Sequence, residues 1–176
     1  MGPIGSWPRG YRLQAYRFNP TCCGYPCRTG RGGLLVPTGY PMKNKPVLEF
    51  SDVTRIAQAA QAEAVRNQWA VCIAIVDDGG HLLHLQRLDG AGAAAATIAS
   101  AKANTAALGR RESKVYEDMV NGGRVSFLSA PTLQGMLEGG VPIMVDGQCI
   151  GAVGVSGVKS SEDAQIARAG IAALGQ

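Results

Sequence analysis

The chain has 176 residues and a formal net charge of +4, with 46% hydrophobic and 17% charged residues, a composition typical of one globular domain. The charge is unevenly distributed: residues 1–41 contain five arginines and no acidic residue, whereas residues 42–176 contain 12 basic and 13 acidic residues. Residues 42–176 are therefore nearly neutral. Because a nucleic-acid interface needs a basic surface, we exclude nucleic acid as a partner of this part of the chain.

Residues 1–41 are expected to lie outside the fold. They contain six of the nine prolines and eight of the 24 glycines, and no helical or strand pattern continues for more than a few residues. Such a segment cannot bury enough apolar surface to offset the entropy lost on ordering. The stretch from Met42 is typical of a bacterial amino terminus. We therefore expect a disordered leader over 1–41, either translated upstream sequence or a cloning remnant, and one domain over 42–176.

The domain begins with a predicted helix and a predicted hairpin. Ser51 is a suitable helix N-cap, and apolar residues recur at helical spacing to about Asn67. An apolar run suited to a buried strand follows over residues 71–76, and residues 81–87 return as a second strand. They flank Asp77-Asp78-Gly79-Gly80, a sequence that favours a tight turn because glycine tolerates positive φ and aspartate caps the backbone. These features predict two antiparallel strands.

The middle of the domain is predicted to be mainly helical. An alanine-rich helix is expected over about 92–108, and its small side chains would allow close packing on a sheet. A shorter helix is expected over about 114–120 and ends at Asn121-Gly122-Gly123. Residues 124–140 are consistent with either a helical turn or a loop that crosses an edge of the sheet.

A second hairpin and a last helix complete the domain. Two apolar runs, over 141–145 and 148–155, flank Asp146-Gly147, a strong signal for a two-residue turn with positive φ at both positions. A helix is then expected over about 160–174. Two hairpins and four helices predict an α/β (α+β) fold with an antiparallel sheet of four to five strands covered by helices.

Several motifs within residues 47–174 together resemble the GlcG/HbpS haem-binding family. In chain order they are Ala74–Leu83, Gln86–Gly90, Ala101–Ala106, Gly139–Ile143, Asp146-Gly147, Gly151–Gly157 and Glu162–Gly170. The resemblance implies a profilin-like α/β/α sandwich with a central five-stranded antiparallel sheet, and homo-oligomers of up to eight copies. It also implies haem or tetrapyrrole binding, kinship with the PduO C-terminal domain, and an accessory role in a catabolic pathway.

The resemblance makes His81 the first candidate for a ligand of haem iron, because His81 matches the Gly-Gly-His of the family and imidazole is a common axial donor. The alternative is that His81 closes the turn by hydrogen bonding. His84 lies three residues further along the same predicted strand and lacks this match. In a regular strand the two side chains would lie on opposite faces and could not bind one metal ion together without a bulge.

Two cations are further candidates for cofactor binding. Lys102, on the alanine-rich helix, could meet a carboxylate or a haem propionate; alternatively it is solvated or forms a structural ion pair. Arg87, near the end of the first hairpin, could line a pocket, pair with Asp89, or do both. We expect no catalytic residues, since the sequence has neither a nucleophile elbow nor a paired acid in a suitable place.

The remaining sequence features restrict the function further. Cys72 and Cys149 occur singly in apolar runs, which predicts core residues rather than a zinc site. No stretch approaches the roughly 18 apolar residues of a membrane helix, so we expect a cytoplasmic protein without a membrane partner. The leading hypothesis is a small-ligand-binding protein of the haem type. The alternatives are an enzyme acting on a small carboxylate or aromatic metabolite, and a structural subunit of an oligomer.

Overall fold

The computed structural model describes residues 44–175, so the expectation of a disordered leader over 1–41 concerns residues outside this range. The elements in chain order are α1 (Phe50–Arg66), β1 (Cys72–Asp77), β2 (Leu82–Arg87), α2 (Ala93–Gly109), α3 (Lys114–Asn121), a 3₁₀ helix (Val125–Ser129), β3 (Gly140–Val145), β4 (Gln148–Ser156) and α4 (Ser160–Ala172). The predicted mixed fold with four helices and two hairpins is thereby confirmed. Within these residues, no helix has the length and apolar character needed to span a membrane.

The beginning of α1 differs from the expectation. Glu49 is the N-cap residue. Its backbone N–H, which has no hydrogen-bond partner within the helix, donates to the carboxylate of Asp52 at 3.1 Å. Ser51 therefore lies inside the first turn and does not cap the helix. Asp52, also in the first turn, places an acidic side chain near the helix N-terminus, where the helix dipole favours negative charge.

The four strands form one antiparallel sheet in the order β2-β1-β4-β3. The two hairpins meet through their inner strands, where Cys72 lies opposite Ser156 and Asp77 opposite Gly151. The expected fifth strand is absent from residues 44–175, so that prediction was wrong. Between α3 and β3 the chain forms the 3₁₀ helix and a loop, because Pro131, Gly135 and Gly139 interrupt any alternating apolar pattern. The profilin-like description stays a prediction.

Helices cover both faces of the sheet. α1 and α4 pack on one face against a core that includes Ile73, Ile75 and Val153, all fully buried. α2 packs on the other face through its alanines, and it approaches β4 very closely. A Cβ atom at Gly154 would lie only 2.2 Å from the carbonyl oxygen of Ala99. This close contact explains why the helix is rich in alanine and the strand carries glycine.

The loop before β3 is also fixed on α2. The backbone N–H of Gly135 donates to Thr105 Oγ1 at 3.0 Å, and a Cβ atom at Gly135 would lie 2.2 Å from the backbone of Ala101. The loop therefore runs directly over the helix backbone. This contact holds the preceding residues, including Thr132 and Gln134, beside the first hairpin.

A bulge in β2 changes which residues share a face. Ile75 lies opposite His84, whereas Val76 lies opposite Leu82, so that Leu83 is an extra residue. The backbone N–H of Asp77 donates to the carbonyl oxygen of His81 at 2.9 Å. Because Ile75 and Asp77 lie on the same face of β1, their partners His84 and His81 also share a face. The expectation of opposite faces assumed a regular strand and was wrong.

Candidate functional site

The carboxylate of Asp77 organises the turn between β1 and β2. Its Oδ1 atom accepts hydrogen bonds from the backbone N–H groups of Gly79 and His81, both at 2.8 Å. The Nδ1 atom of His81 lies 3.2 Å from Oδ1 and 3.1 Å from Oδ2. Burial raises the pKa of Asp77, but the hydrogen bonds from His81 and Gly79 outweigh it, and the pKa is below its ordinary value. Asp77 is therefore a carboxylate at neutral pH.

This carboxylate orients the imidazole of His81. An Nδ1–H group that donates to Asp77 leaves the lone pair on Nε2, and the side chain of His81 is 82% exposed. The ring lies against the backbone of the turn, since a Cβ atom at Gly79 would be 2.8 Å from His81 Cε1. Histidines that bind metals are commonly held in this way, with one nitrogen bonded to a carboxylate and the other directed at the metal.

His84 is placed differently, although it shares a face with His81. It is partly buried opposite Ile75, and its Nε2 atom is inaccessible and has no hydrogen-bond partner among residues 44–175. Within the same residues, no group of three or more His, Cys, Asp or Glu side chains could hold a metal ion. The Nε2 atom of His84 is therefore closed to a metal ion, whereas that of His81 is open.

Lys102 forms the structural ion pair that the sequence left open as an alternative. Its Nζ atom lies 2.8 Å from Asp163 Oδ2 and 3.0 Å from the carbonyl oxygen of Val155, and its side chain is 4% exposed. Burial raises the pKa of Asp163, and the hydrogen bond from Lys102 opposes that rise. The ammonium group thus joins α2 to β4 and α4 and has no open route to a ligand at His81.

Arg87 lies at the far end of β2. It is six positions along the chain from His81, a distance of about 20 Å along an extended strand, and it faces Cys72 across the strand pair. The structure therefore brings together none of the three residues His81, Lys102 and Arg87. Cys72 and Cys149 are free and buried, as expected of core residues.

An open cleft of about 450 Å³ lies between α2, the first hairpin and the loop before β3. Val76, Gly80 and Leu82 line it from the hairpin, and Asn104 lines it from α2. Asn104 Nδ2 also donates to the carbonyl oxygen of Gly80 at 3.2 Å. The cleft could not be predicted from the sequence, because one of its sides belongs to residues 124–140, for which the sequence allowed either a helical turn or a loop. Asn104, a polar residue inside the Ala101–Ala106 motif, was the one feature of the sequence that pointed to a site on this side of α2.

The cleft and the imidazole of His81 lie on different sides of the hairpin. Gly80 and Leu82 line the cleft, but His81 between them does not, because successive side chains of an extended segment point to opposite sides. None of the lining side chains is a histidine, cysteine, methionine or tyrosine, the usual axial donors to haem iron. His81 therefore fits haem iron, and the cleft does not.

Known proteins similar to this chain share its fold. A family model described as haem degrading protein HbpS-like matches residues 48–172. Protein GlcG of Escherichia coli strain K12 is 57% identical over 115 residues, which are 65% of this chain and 85% of GlcG. The crystal structure of a PduOC:heme complex has a TM-score of 0.67 at 31% identity, over 73% of this chain and 95% of that one.

A double mutant of HbpS from Streptomyces reticuli has a TM-score of 0.70 at 28% identity, and the match covers 84% of this chain and all of that chain (100%). The match of the family model and the identity with GlcG each span most of the described domain. This chain belongs to the HbpS-like family.

Proposed function

We propose that the chain binds haem with His81 Nε2 as an axial ligand of the iron. The observation that carries this proposal is the pair formed by Asp77 and His81, in which the carboxylate holds Nδ1 and leaves Nε2 exposed. A hydrogen bond to the carboxylate also makes the imidazole a stronger donor to a metal. Membership of a family described by haem, and a relative whose structure is a haem complex, support the choice of cofactor.

The macrocycle would lie against the exposed edge of the sheet. Leu83, two residues after His81, is 44% exposed, so apolar surface is present on this edge strand near the imidazole. β2 is an edge strand, and an exposed apolar edge is a surface that proteins usually cover. We propose that a second copy of the chain covers it and encloses the haem, which requires a homo-oligomer.

The proposal is limited to binding. Haem would supply redox and oxygen chemistry at its iron, whereas Asp77 and His81 orient the ligand nitrogen and hold a proton at Nδ1. Lys102 and Arg87 are left out of the proposed site, because one is buried in an ion pair and the other lies at the far end of β2. The cytoplasmic location, an octamer and an accessory role in a catabolic pathway stay predictions.

Titration of the full chain with haemin tests the proposal. We expect a Soret band on binding, and His81→Ala should weaken haemin binding by at least about tenfold and change the band, since the iron loses its protein donor. His84→Ala is the matched control and should bind like the wild type, because His84 Nε2 is buried. A His81→Ala variant with the affinity and spectrum of the wild type would refute the assignment of His81.

Sedimentation velocity tests the oligomer separately. The wild type should sediment as a dimer or larger assembly, and Leu83→Lys, which places a charge on the exposed edge, should shift it towards the monomer. Val65→Lys is a suitable control, since Val65 is also exposed but lies on α1. A wild-type protein that is monomeric at the concentration of the haemin titration would remove the second copy from the proposal.

A further inference from the structure

We propose that the cleft between α2, the first hairpin and the loop before β3 is a second ligand site, which takes a small uncharged molecule with a flat apolar part and an amide or hydroxyl group. The site is independent of haem binding, since His81 does not line it. Its volume of about 450 Å³ is within the range of small-molecule sites in proteins.

The absence of charge from the lining selects for an uncharged ligand. All polar side chains that line the cleft are neutral: the hydroxyl groups of Thr97, Ser100 and Thr132, and the amides of Asn104 and Gln134. A carboxylate that entered the cleft would lose hydration without meeting a cation, and an ammonium ion would lose hydration without meeting an anion. The cleft therefore disfavours the small carboxylate that the sequence had left open as a substrate.

Three polar side chains of the cleft are held in place by backbone carbonyl groups. Asn104 Nδ2 donates to Gly80, Gln134 Nε2 to the carbonyl oxygen of Pro131 at 3.3 Å, and Ser100 Oγ to the carbonyl oxygen of Ala96 at 2.9 Å. Each of these side chains presents an oxygen with unused lone pairs, and each amide keeps a second N–H group that can donate. A ligand that donates from an amide or a hydroxyl group would match them at little cost in side-chain entropy.

The apolar side chains of the cleft are the reason for proposing a ligand with a flat apolar part. Val76 and Leu82 from the hairpin, Ala101 and Leu108 from α2, and Pro131 from the loop complete the lining. The loop is fixed on α2 at Gly135, so the two sides of the cleft keep their separation. A flat ring between these sides could bury apolar surface while its polar substituent reaches the acceptors.

Benzamide, benzoate and benzylamine test the proposal, because they share a ring and differ in charge. Each would be titrated into ¹⁵N-labelled full chain and followed by NMR. Benzamide should shift the backbone amide signals of Gly80, Ala101 and Asn104 with a dissociation constant of about 1 mM, which is reasonable for a ligand of this size. Benzoate and benzylamine should leave these signals unchanged at the same concentrations.

Ser100→Trp should abolish the benzamide shifts by filling the cleft, and Val65→Trp is the matched control on an exposed site. Both variants should bind haemin like the wild type, which separates this proposal from the haem site. If Ser100→Trp does not fold, Asn104→Ala should weaken benzamide binding instead. The proposal fails if benzamide causes no shifts, if benzoate or benzylamine binds as well, or if blocking the cleft has no effect.

Discussion

The two hairpins of the sheet both have aspartate and glycine at the turn, but Asp77 in the first and Asp146 in the second have different roles. In the first hairpin the carboxylate of Asp77 accepts hydrogen bonds from the backbone and from the ring of His81. In the second, Asp146 and Gly147 have φ angles of 48° and 73° and reverse the chain through backbone conformation alone. A turn built around a side chain can position another side chain, whereas a turn built on backbone conformation only connects two strands.

The strands that follow the two turns also differ, in their exposure to solvent and in their place in the sheet. β2 is an edge strand with several exposed side chains, whereas β4 is an inner strand that is almost completely buried. Two helices fix β4, and the carbonyl oxygen of Val155 accepts a hydrogen bond from Lys102. The second hairpin therefore belongs to the stable core of the domain. The first hairpin attaches to that core through β1 and leaves its turn and outer strand open to a ligand.

The largest expected effect comes from breaking the buried ion pair beside the second hairpin. Lys102→Met leaves the carboxylate of Asp163 buried without its cation, and removing one partner of such a pair costs about 3–5 kcal/mol of unfolding free energy. Urea unfolding would measure this loss. Lys114→Met is the control, because the pair of Lys114 with Asp118 is exposed to solvent and its loss should change the stability far less.

Haemin affinity measured on the folded fraction of Lys102→Met should equal that of the wild type. A large loss of affinity in a variant that remains folded would mean that Lys102 takes part in binding, as the sequence had suggested. It would also mean that the second hairpin contributes to the haem site. A loss of stability no larger than that of the Lys114 control would contradict the assignment of this ion pair to the core.

The sequence predicted the elements well because each depends on local information. The glycines and aspartates of the turns determine backbone conformation directly, and the apolar patterns determine which residues are buried. The site was harder to predict. The bulge at Leu83, which places both histidines on one face, has no marker in the alternating pattern of β2. The partner of Lys102 is 61 residues away, and only the packing of both α2 and α4 on β4 brings it close.

Replacing one glycine in each turn should have effects of intermediate size, on stability in one hairpin and on haemin affinity in the other. A Cβ atom at Gly147 meets no atom within 4 Å, but the φ angle of 73° is unfavourable for alanine. Gly147→Ala should therefore cost about 1 kcal/mol of stability and leave haemin binding unchanged. Gly79→Ala should weaken haemin binding and leave the stability nearly unchanged. Its Cβ atom would displace the ring of His81, and that exposed ring can move at little cost to the fold.

Thermal unfolding and haemin titration of the two variants would test this contrast. We expect the affinity of Gly79→Ala to fall by about tenfold, the size typical of a disturbed support for a metal ligand. Equal affinities in the two variants would show that the position of the ring on the turn does not matter. The first turn would then have no special role in haem binding, although the structural difference between the two turns would remain.

The smallest expected effect is the pH dependence of the first turn. Because the folded pKa of Asp77 is lowered, the unfolded chain binds a proton more readily, and the stabilisation is complete above the unfolded pKa of about 3.9. It should disappear as the pH falls through the lower folded pKa. The side chain is 35% exposed, so solvent screening limits the contribution to less than about 1 kcal/mol.

Asp77→Asn isolates this contribution. Its stability relative to the wild type should be lower by a constant amount at neutral pH, and the difference should shrink below about pH 4 as the wild-type carboxylate is protonated. Asp146→Asn, at the turn of the second hairpin, is the control and should show no such trend, because that turn depends on backbone conformation. A stability difference for Asp77→Asn that is independent of pH down to about pH 2 would mean that the charge of Asp77 does not organise the turn. The orientation of His81 would then have to come from the packing of its ring on Gly79 alone.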